Sequence, residues 1–326
     1  MSSLEPPSSI DRDAAIRQRL SPSDEVELRK VAAIDIGTNS THLLVASVDP
    51  LLHTFSIDLA EKSTTRLGER DPDSGELTTL ATKRTLETLQ RFKDLAQSHK
   101  VEQLVIAATS AVREASNGRN FLNQIKEEVG LDVDLISGFE EARLIYLGVL
   151  SGMPFGENPH VLLDIGGGST ELILADSRDA RALTSTRVGA VRLQRDFVKQ
   201  DPLSSSRLKF LRTFIQGSLE PAVDKICHRL KPGEKPMLVA TSGTAMAIGS
   251  LVALEEVNPP LKLQGYKFSR KKLDQLIERL VKLTPEQRSK LASLSERRAE
   301  IIVPGALILQ TCMHMMGMEE LVLSER

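Results

Sequence analysis

The sequence predicts an α/β fold in two related domains, and three observations predict it. A twelve-residue device occurs twice: DIGTNSTHLLVA at 35–46 and DIGGGSTELILA at 164–175 agree at seven of twelve positions, 164 − 35 = 129 residues apart. Apolar runs of strand length alternate with longer stretches of helical spacing through both halves. The length of 326 residues suits two domains of roughly 100 to 200 residues each.

Each copy of the device joins an apolar run ending in aspartate to a second apolar run through a small polar turn. That pattern reads as a β-hairpin rather than as a strand feeding a helix. Neither copy has the spacing of a Walker loop or of a dinucleotide loop, both of which open a helix. A turn of Gly, Ser and Thr can still converge backbone N–H groups and hydroxyls on an anion. Two such turns facing each other would grip a phosphate chain from both sides.

Taken in order, residues 1–29 are rich in Ser, Pro and charge and are expected to form a flexible leader. Strands follow near 31–36 and 41–48, with a third near 53–59 and a polar loop over 65–75. Leu80, Leu86, Leu89, Phe92 and Leu95 mark one face of a helix over 77–98. A strand at 104–108 delivers the turn Thr109-Ser110-Ala111, a helix over 121–129 ends at Gly130, and a short strand at 133–136 leads into a helix at about 139–150. The second half repeats the plan: the second hairpin, a strand near 183–188, a helix over 203–229, and a strand at 237–240 entering the turn Thr241-Ser242-Gly243-Thr244 and a helix to about 254. A charged helical stretch at 269–298, interrupted near Pro285, an apolar helix at 305–316 and a last strand at 321–323 complete the chain.

Composition bounds the function. With 40% hydrophobic and 26% charged residues the chain is an ordinary globular protein, and a net charge of −2 excludes a general nucleic-acid binder. Two cysteines, Cys227 and Cys312, lack metal or redox spacing, and no apolar run is long enough for a membrane span or a signal core. A reduced, cytoplasmic setting is expected, with no membrane partner. The oligomeric state is left open, a homodimer included.

Several residues are candidates for chemistry. Asp164 and Glu171 sit seven apart across the second turn, so a tight hairpin brings two carboxylates together, a pair able to hold one hard cation. The first copy keeps Asp35 but has His42 in place of Glu171, so the two turns are not expected to bind metal alike. Glu140 and Glu141 open a helix after Ser137-Gly138, either to stabilise its dipole or to provide a general base. Arg113, just beyond a Thr-Ser turn at a strand end, is placed to neutralise charge on a transferring phosphoryl group. The basic residues Lys262, Lys267, Arg270, Lys271, Lys272, Arg297 and Arg298 admit two readings, a solvated helix face or a track for a polyanion. The six histidines show no ligand spacing.

DIGTNS at 35–40, ATSAVREASNG at 108–118, ISGFEEARLIYLGV at 136–149, DIGGGSTEL at 164–172 and ATSGT at 240–244 together resemble the exopolyphosphatase and guanosine pentaphosphate phosphohydrolase (Ppx/GppA) family. The resemblance spans about residues 31–323. It implies two actin-like (ASKHA, ribonuclease H-like) domains with mixed sheets flanked by helices and a cleft between them. The boundaries it implies are 30–138 plus about 303–326 for the first domain and 139–302 for the second; many family members continue into an HD-type C-terminal domain, and as a departure from that pattern none is expected in this sequence. By the same resemblance Glu141 is the base, and Arg113 stands among the residues around the terminal phosphates. Gly37, Thr38, Asn39, Ser40, Gly166, Gly167, Gly168, Ser169, Ser242, Gly243 and Thr244 would surround the terminal phosphates. Asp164 and Glu171, with Asp35 as a further candidate, would hold Mg2+ or Mn2+. The implied substrate is inorganic polyphosphate, with guanosine pentaphosphate as the alternative and a binding module of little turnover as the reading from another class. The chain departs from the family pattern at Leu323-Ser324-Glu325-Arg326, where an Ala-Leu-Arg-Glu-Gly-like segment usually follows.

Overall fold

A computed structural model describes residues 28–156, 158–291 and 294–325, so the expected leader lies almost wholly outside the described residues. The first sheet is built from β1 (Arg29–Ile36), β2 (Thr41–Asp49), β3 (Thr54–Ser63), β4 (Gln103–Ala108) and β5 (Asp134–Leu135) in the order β3-β2-β1-β4-β5. The second contains β6 (His160–Ile165), β7 (Thr170–Ala175), β8 (Ala180–Thr186), β9 (Met237–Thr241), β10 (Lys267–Ser269) and β11 (Glu320–Leu323) in the order β10-β11-β9-β6-β7-β8. Both are mixed sheets. Each has an antiparallel meander of three strands whose first member also pairs in parallel with a later strand, β1 with β4 and β6 with β9.

The duplication extends to an irregularity. The register shifts between Val45 and Ala46 in one meander and between Leu174 and Ala175 in the other, and 174 − 45 = 129 residues, the offset of the repeated device. A bulge inserts one residue and increases local twist, so both hairpins coil in the same way where they leave their turns.

Helices α1 (Thr79–Ser98), α2 (Ser110–Arg113) and α3 (Gly118–Glu128) pack on the first sheet through Leu89, Phe92, Val112, Phe121 and Ile125, all buried. The second sheet is covered on both faces. On one side lies α4 (Gly138–Gly152), through Ala142, Tyr146 and Val149. On the other lie α6 (Ser205–Arg229), α7 (Ser242–Ala253), α8 (Arg270–Leu280) and α10 (Glu296–Met315), while α5 (Ala190–Phe197) and α9 (Pro285–Ser289) brace α10. This explains why β6 and β7 read as unbroken apolar runs, since strands buried on both faces have no solvent side to mark.

Two expectations are corrected, and one element is new. Residues 303–326 do not return to the first sheet: β11 pairs with β9 and β10, and Ile302, Leu307, Leu309 and Met313 of α10 are buried in the second core. The stretch Glu296–Met315 is one helix that passes through Pro304 rather than starting at Gly305. Helix α5 was not expected. Among the described residues no helix is long and apolar enough to cross a membrane.

Candidate active site

Four chain reversals meet where β1, β4, β6 and β9 end. Ligands of open α/β sheets bind outside the carboxyl ends of such strands, and here those ends line a cleft of about 540 Å³. Its walls come from both sheets: Asp35 and residues 37–40, Thr109 and Ser110, Glu141, Asp164 with residues 166, 167 and 169, and residues 241–244. The two hairpin turns close in the same manner. Gly37 donates to Ser40 O at 3.1 Å, and Gly166 donates to Ser169 O at 3.0 Å.

Helix α5 shapes the second turn. The N–H groups of Ala190, Val191 and Arg192 bond the carbonyls of Gly166 and Gly167 at 2.9–3.0 Å. These carbonyls would otherwise repel an anion, and capping them removes that repulsion from the second turn. The two turns also touch. A Cβ on Gly167 would lie 2.9 Å from Thr38 Cβ, and one on Gly168 would lie 2.5 Å from Ser110 Oγ. Ser242 opens α7 at φ 89°, a left-handed backbone that serine adopts at an energetic cost and that recurs at functional sites.

Glu141 lines the cleft, and Oε2 of its carboxylate accepts from both Nη1 and Nη2 of Arg113 at 3.2 Å. Arg113 also donates to Ile136 O at 2.8 Å and does not line the cleft, so its guanidinium serves Glu141 and not a phosphate. Glu140 points elsewhere, to Arg143 at 2.7–2.8 Å. Burial raises the Glu141 carboxyl above its usual range, Arg113 opposes that rise, and Glu114 adds to it.

Asp35 and Asp164 both line the cleft, and each is raised to about 7, first by burial and then by the negative charge of Glu141. Asp35 keeps solvent-exposed surface in the open cleft, so solvent screens its charge more than that of Asp164. Glu171 faces Asp164 across the β6–β7 ladder as the hairpin required, but it lies behind the cleft wall, 1% exposed and accepting from Ser185 Oγ at 2.7 Å. Burial, Glu141 and Asp164 push it well above the usual range. Among the described residues no group of three His, Cys, Asp or Glu side chains is arranged to hold a metal ion. The donor chemistry nonetheless fits a hard cation. Carboxylates that repel one another around a polar cleft are relieved by a cation, and Mg2+ takes few protein carboxylates and fills its shell with water and phosphate oxygens.

The cleft lining also includes His42, the ladder partner of Asp35, together with Lys62 and Arg298. Burial lowers Lys62 and Arg298, and burial with these two cations depresses His42 to about 4, so His42 is neutral at pH 7. Lys62 carried no signal in the sequence beyond being a lysine near a strand end. Arg298 belonged to the late basic cluster, but that cluster does not form one track: Arg270 pairs with Glu319 and Lys272 with Glu256.

The profile of the Ppx/GppA phosphatase family matches residues 44–326. Exopolyphosphatase 1 of Mycobacterium leprae is 30% identical, over 89% of this chain and 84% of its own. The guanosine-5'-triphosphate,3'-diphosphate pyrophosphatase of Photobacterium profundum is also 30% identical, over 90% of this chain and 56% of its own length. Among solved structures, an exopolyphosphatase from Cytophaga hutchinsonii superimposes with a TM-score of 0.82 at 28% identity, over 91% of this chain and 94% of the other.

Proposed function

Since the chain belongs to the Ppx/GppA phosphatase family, we propose that its cleft hydrolyses the terminal phosphoanhydride of inorganic polyphosphate and releases orthophosphate. The two sheets are taken as actin-like domains meeting near residue 138. The observation that carries the reading is Glu141, a partly buried carboxylate held by Arg113 and facing into the same cleft as both phosphate turns.

In this reading the terminal phosphate sits between residues 37–40 and Gly166, Gly167 and Ser169, where N–H groups and hydroxyls meet its oxygens, while Gly168, expected among them, faces the space behind. Glu141 takes a proton from a water aligned with the terminal phosphorus, and its raised pKa makes it a stronger base than an exposed glutamate. The leaving chain lies toward Lys62 and Arg298, which neutralise its charge. Asp164, supported by Asp35 at the cleft and Glu171 behind it, would hold Mg2+ or Mn2+, whose chemistry when bound is to polarise phosphoryl oxygens.

Polyphosphate is favoured over a nucleotide because, among the described residues, no Phe, Tyr or Trp lines the cleft: its apolar members are Ile165, Met246 and Ile301, and His42 is its one ring. Bases recognised in proteins commonly stack on aromatic rings. The Photobacterium relative favours a second reading, guanosine pentaphosphate. Steady-state phosphate release from polyphosphate of defined length and from guanosine pentaphosphate decides between them, and a preference for the nucleotide overturns the first. Glu141→Gln should lower release about 10²- to 10⁴-fold while polyphosphate still binds. Retained activity would remove Glu141 as the base.

A further inference from the structure

Behind the two phosphate turns lies a second, smaller recess, and the wall between it and the cleft is a single layer of side chains. Thr38 and Ser110 line both spaces. Their hydroxyls bond each other at 2.9 Å, and Gly168 closes the seam so tightly that a Cβ there would stand 2.5 Å from Ser110 Oγ and 3.0 Å from Thr38 Oγ1.

The far side of this wall is basic. Arg70, Arg192 and Arg195 converge on the recess. Arg192 bonds Gly168 O at 2.9 Å and pairs with Glu114. Arg195 reaches Gly68 O at 3.5 Å and pairs with Asp196 at 2.6 Å. Arg70 donates from Nη2 to Ala111 O at 2.5 Å, but its Nη1 is buried with no hydrogen-bond partner among the described residues, as is Glu114 Oε1. A buried guanidinium N–H left unpaired is costly. Three guanidiniums against two carboxylates leave a net positive charge, and Arg195 and Arg192 each lower Arg70 through repulsion, second to its burial.

We propose that this recess is the exit port for orthophosphate, a transit site of Arg70, Arg192 and Arg195 that opens when Thr38, Ser110 and Gly168 part. The proposal rests on the hydrolase reading. In the hydrolase reading the shortened chain still occupies the cleft beside the cleaved phosphate, and the recess lies directly behind the turns that hold that phosphate, with Thr38 and Ser110 lining both spaces. The recess has room for about 10 Å³, the space of one water, so a phosphate passes only when side chains swing aside. Arg195, 35% exposed, can do so by exchanging its bonds to Asp196 and Gly68 O for water. Arginine suits the task because its fork donates two parallel bonds to a phosphate.

The test compares wild type with Arg70→Gln, Arg195→Gln and the double variant. Acid quench reads cleavage of a defined-length polyphosphate, and a fluorescent phosphate sensor reads release in stopped flow. First-turnover cleavage should be unchanged in the variants while release slows tenfold or more, so that a burst of enzyme-bound phosphate accumulates. Arg195→Lys, which keeps the charge, should restore part of the release. Release that keeps pace with cleavage in the double variant overturns the port. If the double variant fails to fold, the single Arg195→Gln, at a partly exposed side chain, carries the same comparison. Calorimetric titration with inorganic phosphate separates this proposal from the hydrolase reading, because it needs no turnover. Two phosphates should bind wild type and one the double variant; equal stoichiometry overturns the port even if neither substrate is hydrolysed.

Discussion

Glu141 and Arg113 share two hydrogen bonds of 3.2 Å at the edge of the cleft, and that pairing governs the protonation of the proposed base. Burial and Glu114 raise the Glu141 carboxyl, and Arg113 holds it down. Removing the cation in Arg113→Gln therefore raises it further. Since a base must be deprotonated to act, the acid limb of the pH–rate profile should move to higher pH by about 1 to 3 units, as read from kcat/KM across pH 4–9. An unmoved limb would mean that Arg113 does not govern the base. Apart from the family resemblance, which picked Glu141, the residues themselves left Glu140 and Glu141 equivalent, because both occupy the first turn of a helix and both suit its dipole. Adjacent helical residues point about 100° apart, and only packing shows which direction is the cleft: Glu140 goes to Arg143 and Glu141 inward.

At the scale of elements, the junction of β8 and α5 places the second phosphate turn. Gly189 sits there with no room for a side chain: a Cβ would lie 2.5 Å from the backbone C and O of Gly167 and from the C of Gly168. Backbone atoms cannot rotate away as a side-chain tip can. Gly189→Ala should thus displace the turn, and a shift of about 1 Å is enough for a loss on the order of 10² in kcat/KM. Thermal melting alongside phosphate release checks it, and full activity would show that the turn tolerates movement. The hairpins, α1, α4 and β9 were legible because each carries a clear period of two or 3.6 or a cap. Helix α5 was not. Its eight residues, AVRLQRDF, span just over two turns, too short a window for helical period to separate from strand or loop.

For the whole molecule, four carboxylates gathered at one interface make stability depend on pH and on cations. Asp35 and Asp164 are raised to about 7, above the roughly 3.9 of an unfolded aspartate. Groups raised in this way favour the fold in their protonated form. The stability they contribute is present below about pH 4 and is lost as pH rises through about 7. In EDTA, these two carboxyls should make the protein melt at a lower temperature at pH 8 than at pH 5.5, and added Mg2+ should recover the difference at pH 8 by binding the folded state. A melting temperature that ignores Mg2+ at pH 8 would argue against a cation on Asp164. The sequence alone determined the duplicated hairpins, the polar turns at strand ends, the family resemblance and most strands and helices, because all of these are written in local order, in period and in spacing. Only the tertiary structure decided that residues 303–326 complete the second sheet, that Glu171, beside Asp164 in the ladder, is buried behind the cleft wall, and that Lys62 and Arg298, 298 − 62 = 236 residues apart, line one cleft. Burial and convergence are sums over contacts between distant segments. No local window contains them until the two sheets have packed and their strand ends meet.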